Sequence, residues 1–272
     1  MFRILSLSLV LSFLATIGQA QDTRLKRLDT GDDSRDWEAV GRLDIDGRGF
    51  CTGALIAPDL VLTAAHCLFD KQSGMRVDHA KIEFLAGWRN GRASAYRWVR
   101  RAVIHPDYSY DDALATARVR NDVALLELHH PIRNTTVIPF ETDARPVKGG
   151  RIGVVSYAKD RSEAPSIQEM CRVLARQQGV LVMSCDIDFG SSGAPVFSFD
   201  GETARIVSVV SAKAEVDGAP VSLGTALAEP LARLRAELAA GRGTFGEGES
   251  PRVRRIIVGG ARGETGAKFV KP

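Results

Sequence analysis

"DFGSSGAPVF", Asp188 to Phe197, sets two adjacent serines between glycines and runs directly into an apolar segment. Residues this small allow a backbone to approach another group closely. The same composition also makes an ordinary surface turn, because Gly, Ser and Asp are turn formers. The stretch alone leaves both readings open, and the chain around it must separate them. From Trp37 onward, short apolar runs alternate with turn residues: "GRLDI", "GALIA", "LVLTAAHCL", "KIEFLAG", "YRWVRRAVI" and "DVALLEL". A second series follows Pro146–Gly150: "RIGVVSYA", "GVLVMSC", "APVFSF", "RIVSVVSA" and "VSLGTALA". Short strands at this spacing predict an all-β barrel or sandwich, and two series predict two of them.

After Pro230 the pattern changes. Leu231, Leu234 and Leu238 in "LARLRAELAA" keep the spacing of a helix face, and Gly241 is a natural stop. Residues 241–272 are rich in Gly and Arg and read as a disordered tail. Residues 21–35 are polar and charged and read as a mobile segment. The body of the protein therefore spans about residues 36–240.

The chain of 272 residues is 44% hydrophobic and 25% charged, enough apolar content for one large or two small cores. Its start has one cation, Arg3, an apolar run from Ile4 to Ile17, and small residues at Gly18 and Ala20. This is the pattern of a secretory signal cleaved after Ala20. A membrane span needs roughly 20 apolar residues, and Ser6, Ser8 and Ser12 interrupt a shorter run. The mature protein is thus expected outside the cytoplasm, secreted or periplasmic, with no membrane attachment.

Export directs the reading of Cys51, Cys67, Cys171 and Cys185 towards disulfides rather than zinc. No C-x-x-C pair is present, which further weakens a metal site. Pairing neighbours would close loops of about 15 residues, each stabilising by roughly 3 kcal/mol in the chain-entropy account. Three connectivities are possible, and spacing does not choose among them. The charge excludes another class. Seven basic and three acidic residues between Ala239 and Pro272 place +4 there; without that tail and Arg3, the whole-chain +3 falls to −2 for residues 21–238. A slightly acidic body has no nucleic-acid footprint.

Three further segments carry chemistry. "LTAAHC" places His66 beside Cys67, "NDVALLEL" opens an apolar run with Asp122, and "RIVSVVS" ends at Ser211. A lone His beside a strand is commonly structural, and an Asp opening a strand is commonly a turn cap. Together with "GSSGAP" they give the chain order His, Asp, Ser. In that order, over about Trp37 to Ala240, the sequence resembles the chymotrypsin/trypsin-like serine proteases, especially their bacterial secreted members.

The resemblance implies two antiparallel six-stranded β-barrels packed together with a C-terminal helix. It implies a serine endopeptidase acting on polypeptides without metal or organic cofactor. His66 takes the place of the general base, Asp122 of its orienting carboxylate and Ser192 of the nucleophile. The amides of Gly190 and Ser192 take the place of the oxyanion hole. Ser191 stands where zymogen-type members keep an aspartate. Ser211, preferred over Ser208, falls behind Asp122. Ala212, Lys213 and Gly224 fall on the pocket walls, and Asp186 at the position of a pocket-base carboxylate that selects Arg or Lys. Lys213 could instead neutralise Asp186 and invite an acidic side chain. The histidine of glutamate-specific relatives is not evident near Val209 and Val210. Cys51–Cys67 matches the family's bridge around the histidine, and Cys171–Cys185 would brace the segment before the nucleophile. "RRIIVGG", Arg254–Gly260, looks like an activation site but follows the whole catalytic unit, so a cut there cannot make the mature N-terminus. The alternatives are a catalytically silent, protease-like binding protein and a general esterase, the latter without this order of residues on an all-β pattern.

Overall fold

A computed structural model describes residues 25–111, 115–143, 146–201, 203–216 and 218–243. The signal sequence at 1–20 and "RRIIVGG" lie outside the described residues, as does the tail from residue 244. The segment expected to be mobile folds from its middle onward. Strand β1 (Lys26–Arg27) pairs antiparallel with a long strand of the second sheet. Leu28 is then buried at 1% exposure, and helix α1 (Gly31–Ser34) is capped by Thr30, whose hydroxyl accepts the Asp33 amide. Strand pairing, a buried leucine and a helix cap together tie down a stretch whose composition reads as polar.

Each of the first six apolar runs becomes a strand: β2 (Val40–Ile45), β3 (Gly49–Ala57), β4 (Leu60–Thr63), β5 (Ile82–Ala86), β6 (Ala95–Ile104) and β7 (Ala124–Leu128). They pair in the ring β2-β3-β4-β7-β6-β5, which β2 and β5 close. Bulges at Leu55/Ala57 and Val99/Arg101 supply bends that closure requires. Inward side chains such as Leu43, Leu55, Val61, Phe84, Val99 and Leu126 are at most 1% exposed and fill the barrel.

The second body contains β8 (Arg151–Ala158), β9 (Arg161–Gln177), β10 (Val180–Met183), β11 (Pro195–Asp200), β12 (Thr203–Val216) and β13 (Ala219–Ala226). The pairings run β8-β9-β10-β13-β12-β11 and return from β11 to β8, with β1 appended to β9. The sequence pattern finds five of these strands and misses β9, whose 17 residues are half polar. Helix α2 (Ala115–Arg120) precedes β7, and the expected C-terminal helix is α3 (Ala228–Ala239), burying Leu231 and Leu234. Trp37, Phe140 and Phe197 pack edge to face, with centroids 4.8–4.9 Å apart for the two Phe197 pairs. The turn bearing Ser192 is bonded to β3 of the first barrel, so the site lies where the two bodies meet.

Candidate active site

Strand β4 runs into a single turn of 3-10 helix, Ala65–Leu68, which carries His66. The Cys51–Cys67 disulfide ties that turn back to β3. Asp122 follows α2, its amide donating to the carbonyl of Val119, and it is only 2% exposed. A buried carboxylate needs donors, and Asp122 has three. Oδ2 lies 2.7 Å from His66 Nδ1, Oδ1 accepts the His66 amide at 2.9 Å, and the Ser211 hydroxyl donates to Oδ2. With Nδ1 donating to Asp122, the lone pair of the neutral ring is left on Nε2. Burial and the Asp122 carboxylate together push the neighbouring Tyr108 phenol well above its usual range.

Ser192 lies in the turn before β11 and lines, with His66, a cavity of about 260 Å³. Two glycines shape this turn. Gly190 has φ +99°, and a Cβ there would stand 2.4 Å from the Phe50 ring; Gly193 has φ +77°, and a Cβ would stand 2.1 Å from Thr63 Oγ1. Among the described residues the amides of Gly190 and Ser192 donate to no backbone carbonyl, whereas those of Ser191, Gly193 and Ala194 do. Two free donors flanking a serine hydroxyl can stabilise an oxyanion formed beside it. Ser191 is buried, and its hydroxyl is satisfied by Ser156 Oγ at 3.1 Å and the Tyr157 carbonyl at 3.4 Å.

The structure thus brings His66, Asp122, Ser192, Gly190 and Ser211 together. Ser208 instead donates to the carbonyl of Thr225 at 2.8 Å. Ala212 and Lys213 line the cavity with Ser192. Two residues fall elsewhere. Gly224 is buried inside the second barrel, where a Cβ would meet Ser208 Oγ at 2.4 Å. Asp186 is not among the cavity residues; its side chain is 67% exposed and 3.8 Å from Lys213 Nζ. Its amide donates to Gln168 Oε1, which fixes the backbone while the carboxylate points to solvent. Cys171–Cys185 joins β9 to the segment before the turn bearing Ser192. Cys51, Cys67 and His66 are close enough to suggest a metal site, but both sulfurs belong to one disulfide and offer no thiolate.

Thr52 escapes a reading of the sequence. Its amide donates to the Ser192 carbonyl at 2.9 Å, its hydroxyl donates to the Gly190 carbonyl at 2.9 Å, and the Tyr157 amide donates to that hydroxyl at 3.1 Å. Thr225 similarly braces α2 and Asp122 by donating to the carbonyls of Val119 and Asp122. Neither threonine differs from any strand threonine until the barrels are joined. Lys71 and Phe189, which also line the cavity, are likewise visible only in the fold.

Two β-barrels meeting at a His–Asp pair and a glycine-bounded serine define the chymotrypsin-like class of serine peptidase folds. The chain belongs to the trypsin-like peptidase domain family, which it matches over residues 51–204. It is 30% identical over 163 residues to serine protease 23 of Homo sapiens, covering 54% of this chain and 42% of that protein. It is 27% identical over 150 residues to glutamyl endopeptidase of Bacillus licheniformis, covering 55% and 45%. The chain therefore spans less than half the length of these curated relatives. A solved structure of Glu endopeptidase superimposes with a TM-score of 0.65 at 19% identity, covering 80% of this chain and 98% of that one. That likeness concerns the fold.

Proposed function

We propose that the protein is an exported serine endopeptidase. Ser192 attacks the peptide carbonyl while His66 Nε2 accepts its proton; Asp122 holds the ring in the productive tautomer and faces the imidazolium that forms. The amides of Gly190 and Ser192 receive the developing oxyanion; His66 then gives its proton to the leaving amine as the peptide bond breaks, and water hydrolyses the acyl-enzyme to free Ser192. The observation that carries this reading is the double hold of Asp122 on His66, through Nδ1 and through the amide. That arrangement fixes tautomer and position at once, and a merely structural histidine needs neither. Two disulfides accord with an oxidising compartment, and no described helix is long and apolar enough to cross a membrane. A preference for Arg or Lys is not part of the proposal, because Asp186 lies outside the cavity lining.

Labelling by a fluorophosphonate probe tests the proposal. Wild-type protein should be labelled at Ser192 and should cleave an unstructured protein such as casein, and Ser192→Ala should abolish both. A folded protein that neither labels nor cleaves would be a silent, protease-like binding protein instead.

A further inference from the structure

We infer that the cavity beside Ser192 receives a carboxylate-bearing side chain, so that cleavage follows acidic residues, with Lys213 as the specificity-determining residue and Lys71 as a second cation. The inference rests on the reading of Ser192 as nucleophile. Its own grounds are the charges around the cavity.

Lys213 reaches the cavity from β12, two residues after the serine that holds Asp122. Lys71 reaches it from the other barrel, in the segment after His66, with Nζ 5.4 Å from the centre of the Phe189 ring. The remaining lining beside the nucleophile is largely apolar: Ile187, Val210 and Ala212. Asp188 is the one carboxylate among the described lining residues; one of its oxygens accepts the Phe189 amide at 2.8 Å, and it stands against two cations. The resting partner of Lys213 is Asp186, at 3.8 Å, with both side chains more than half exposed. An exposed pair of this kind is weak and screened. A carboxylate delivered into the cavity by a bound peptide loses water there and gains more from the same ammonium. A guanidinium or ammonium in its place would face both ammonium groups, with Asp188 the one lining carboxylate to set against them.

The test uses the full mature protein and fluorogenic peptides that differ only in the residue preceding the scissile bond: Glu, Asp, Leu, Arg or Lys. The best acidic peptide should exceed the Arg peptide in kcat/KM by at least about tenfold, as one charge-assisted hydrogen bond allows. Lys213→Gln should lower the Glu-to-Leu ratio by about ten- to one-hundred-fold, Lys71→Gln should lower it less, and Asp186→Ser should leave the order of peptides unchanged. A preference for Arg or Lys that Asp188→Asn removes would overturn the inference. So would an acidic preference that neither lysine variant alters. Fluorophosphonate labelling separates the layers. A labelled enzyme with a basic or flat profile refutes the specificity alone, while a folded protein with neither labelling nor cleavage refutes the catalytic reading beneath it.

Discussion

Asp122 grips His66 twice, through Nδ1 at 2.7 Å and through the amide at 2.9 Å. One carboxylate therefore fixes both the ring and the backbone of the same residue. Asp122→Asn keeps an oxygen for the amide but turns an N–H towards Nδ1, which reverses the tautomer. The expected outcome is a fall in kcat of about 10⁴ with the fold retained, read by single-turnover kinetics beside a thermal melt. A loss below tenfold would show that His66 is oriented by something else.

Thr52 links β3 to the nucleophile turn through its amide and its hydroxyl. Thr52→Val keeps the volume and the amide bond but leaves the Gly190 carbonyl and the Tyr157 amide without a partner. It should lower kcat about tenfold with little change in KM, because in the proposed mechanism the Gly190 amide receives the oxyanion. Thr52→Ser restores the hydroxyl and should recover most of the rate. Equal losses in the two variants would mean that the methyl group matters as much as the bonds.

The first barrel is legible in the sequence because its strands are short and apolar and are cut cleanly by turns. Six runs give six strands. The second is less so, since β9 carries Glu163, Pro165, Gln168, Glu169 and Arg172 along 17 residues. Its pairing changes register against β8 at Ile152/Val154 and Ser156/Ala158. Bulges break the alternation that would otherwise announce a strand. The three catalytic candidates are legible through chain order and flanking residues, and Ser211 through its distance from Pro195. Asp186 shows the limit of counting positions. Spacing places its Cα but not the direction of its side chain, which local bonds decide.

Gly193 and Gly201 both have positive φ, +77° and +59°, but only the first is crowded. At Gly201 a Cβ would meet nothing within 4 Å, so Gly201→Ala should cost only the left-handed backbone, ~1–2 kcal/mol. At Gly193 a Cβ would also stand 2.4 Å from the Thr52 carbonyl. Gly193→Ala should exceed the Gly201→Ala cost clearly in urea unfolding and should abolish labelling of Ser192. Equal costs would show that the nucleophile turn yields easily.

His79 and His105 are buried, and burial depresses both imidazole pKa values below the ordinary one. His79 Nε2 donates to the Arg100 carbonyl, while His105 Nδ1 accepts the Asp107 amide at 3.3 Å, a bond that protonation of Nδ1 would break. The unfolded state then binds protons first as pH falls. The stability they contribute is complete above the ordinary histidine pKa and is lost as pH drops through the depressed values. Thermal melts should therefore decline from pH 7 to pH 5, and less steeply in His105→Gln. An unchanged slope in that variant would assign the decline to carboxylates alone.

Ser191 sits at 0% exposure next to Ser192, its hydroxyl shared between Ser156 Oγ and the Tyr157 carbonyl. An aspartate there would be a buried charge needing a cation, the role an inserted N-terminal ammonium fills in zymogen-type relatives of this fold. A serine is satisfied by neutral partners, so the turn has no need of a cut chain end to hold its shape. Ser191→Ala should cost about 1 kcal/mol and keep most activity. Ser191→Asp should cost about 3 kcal/mol or more, because the charge has no partner. It follows that protein beginning at Gln21 and carrying an added N-terminal tag should be active as folded. Ser192 should be labelled by fluorophosphonate at the same rate before and after the tag is removed. Activity that appeared only on removal would place an N-terminal switch in this enzyme and make Ser191 the wrong residue to read it from.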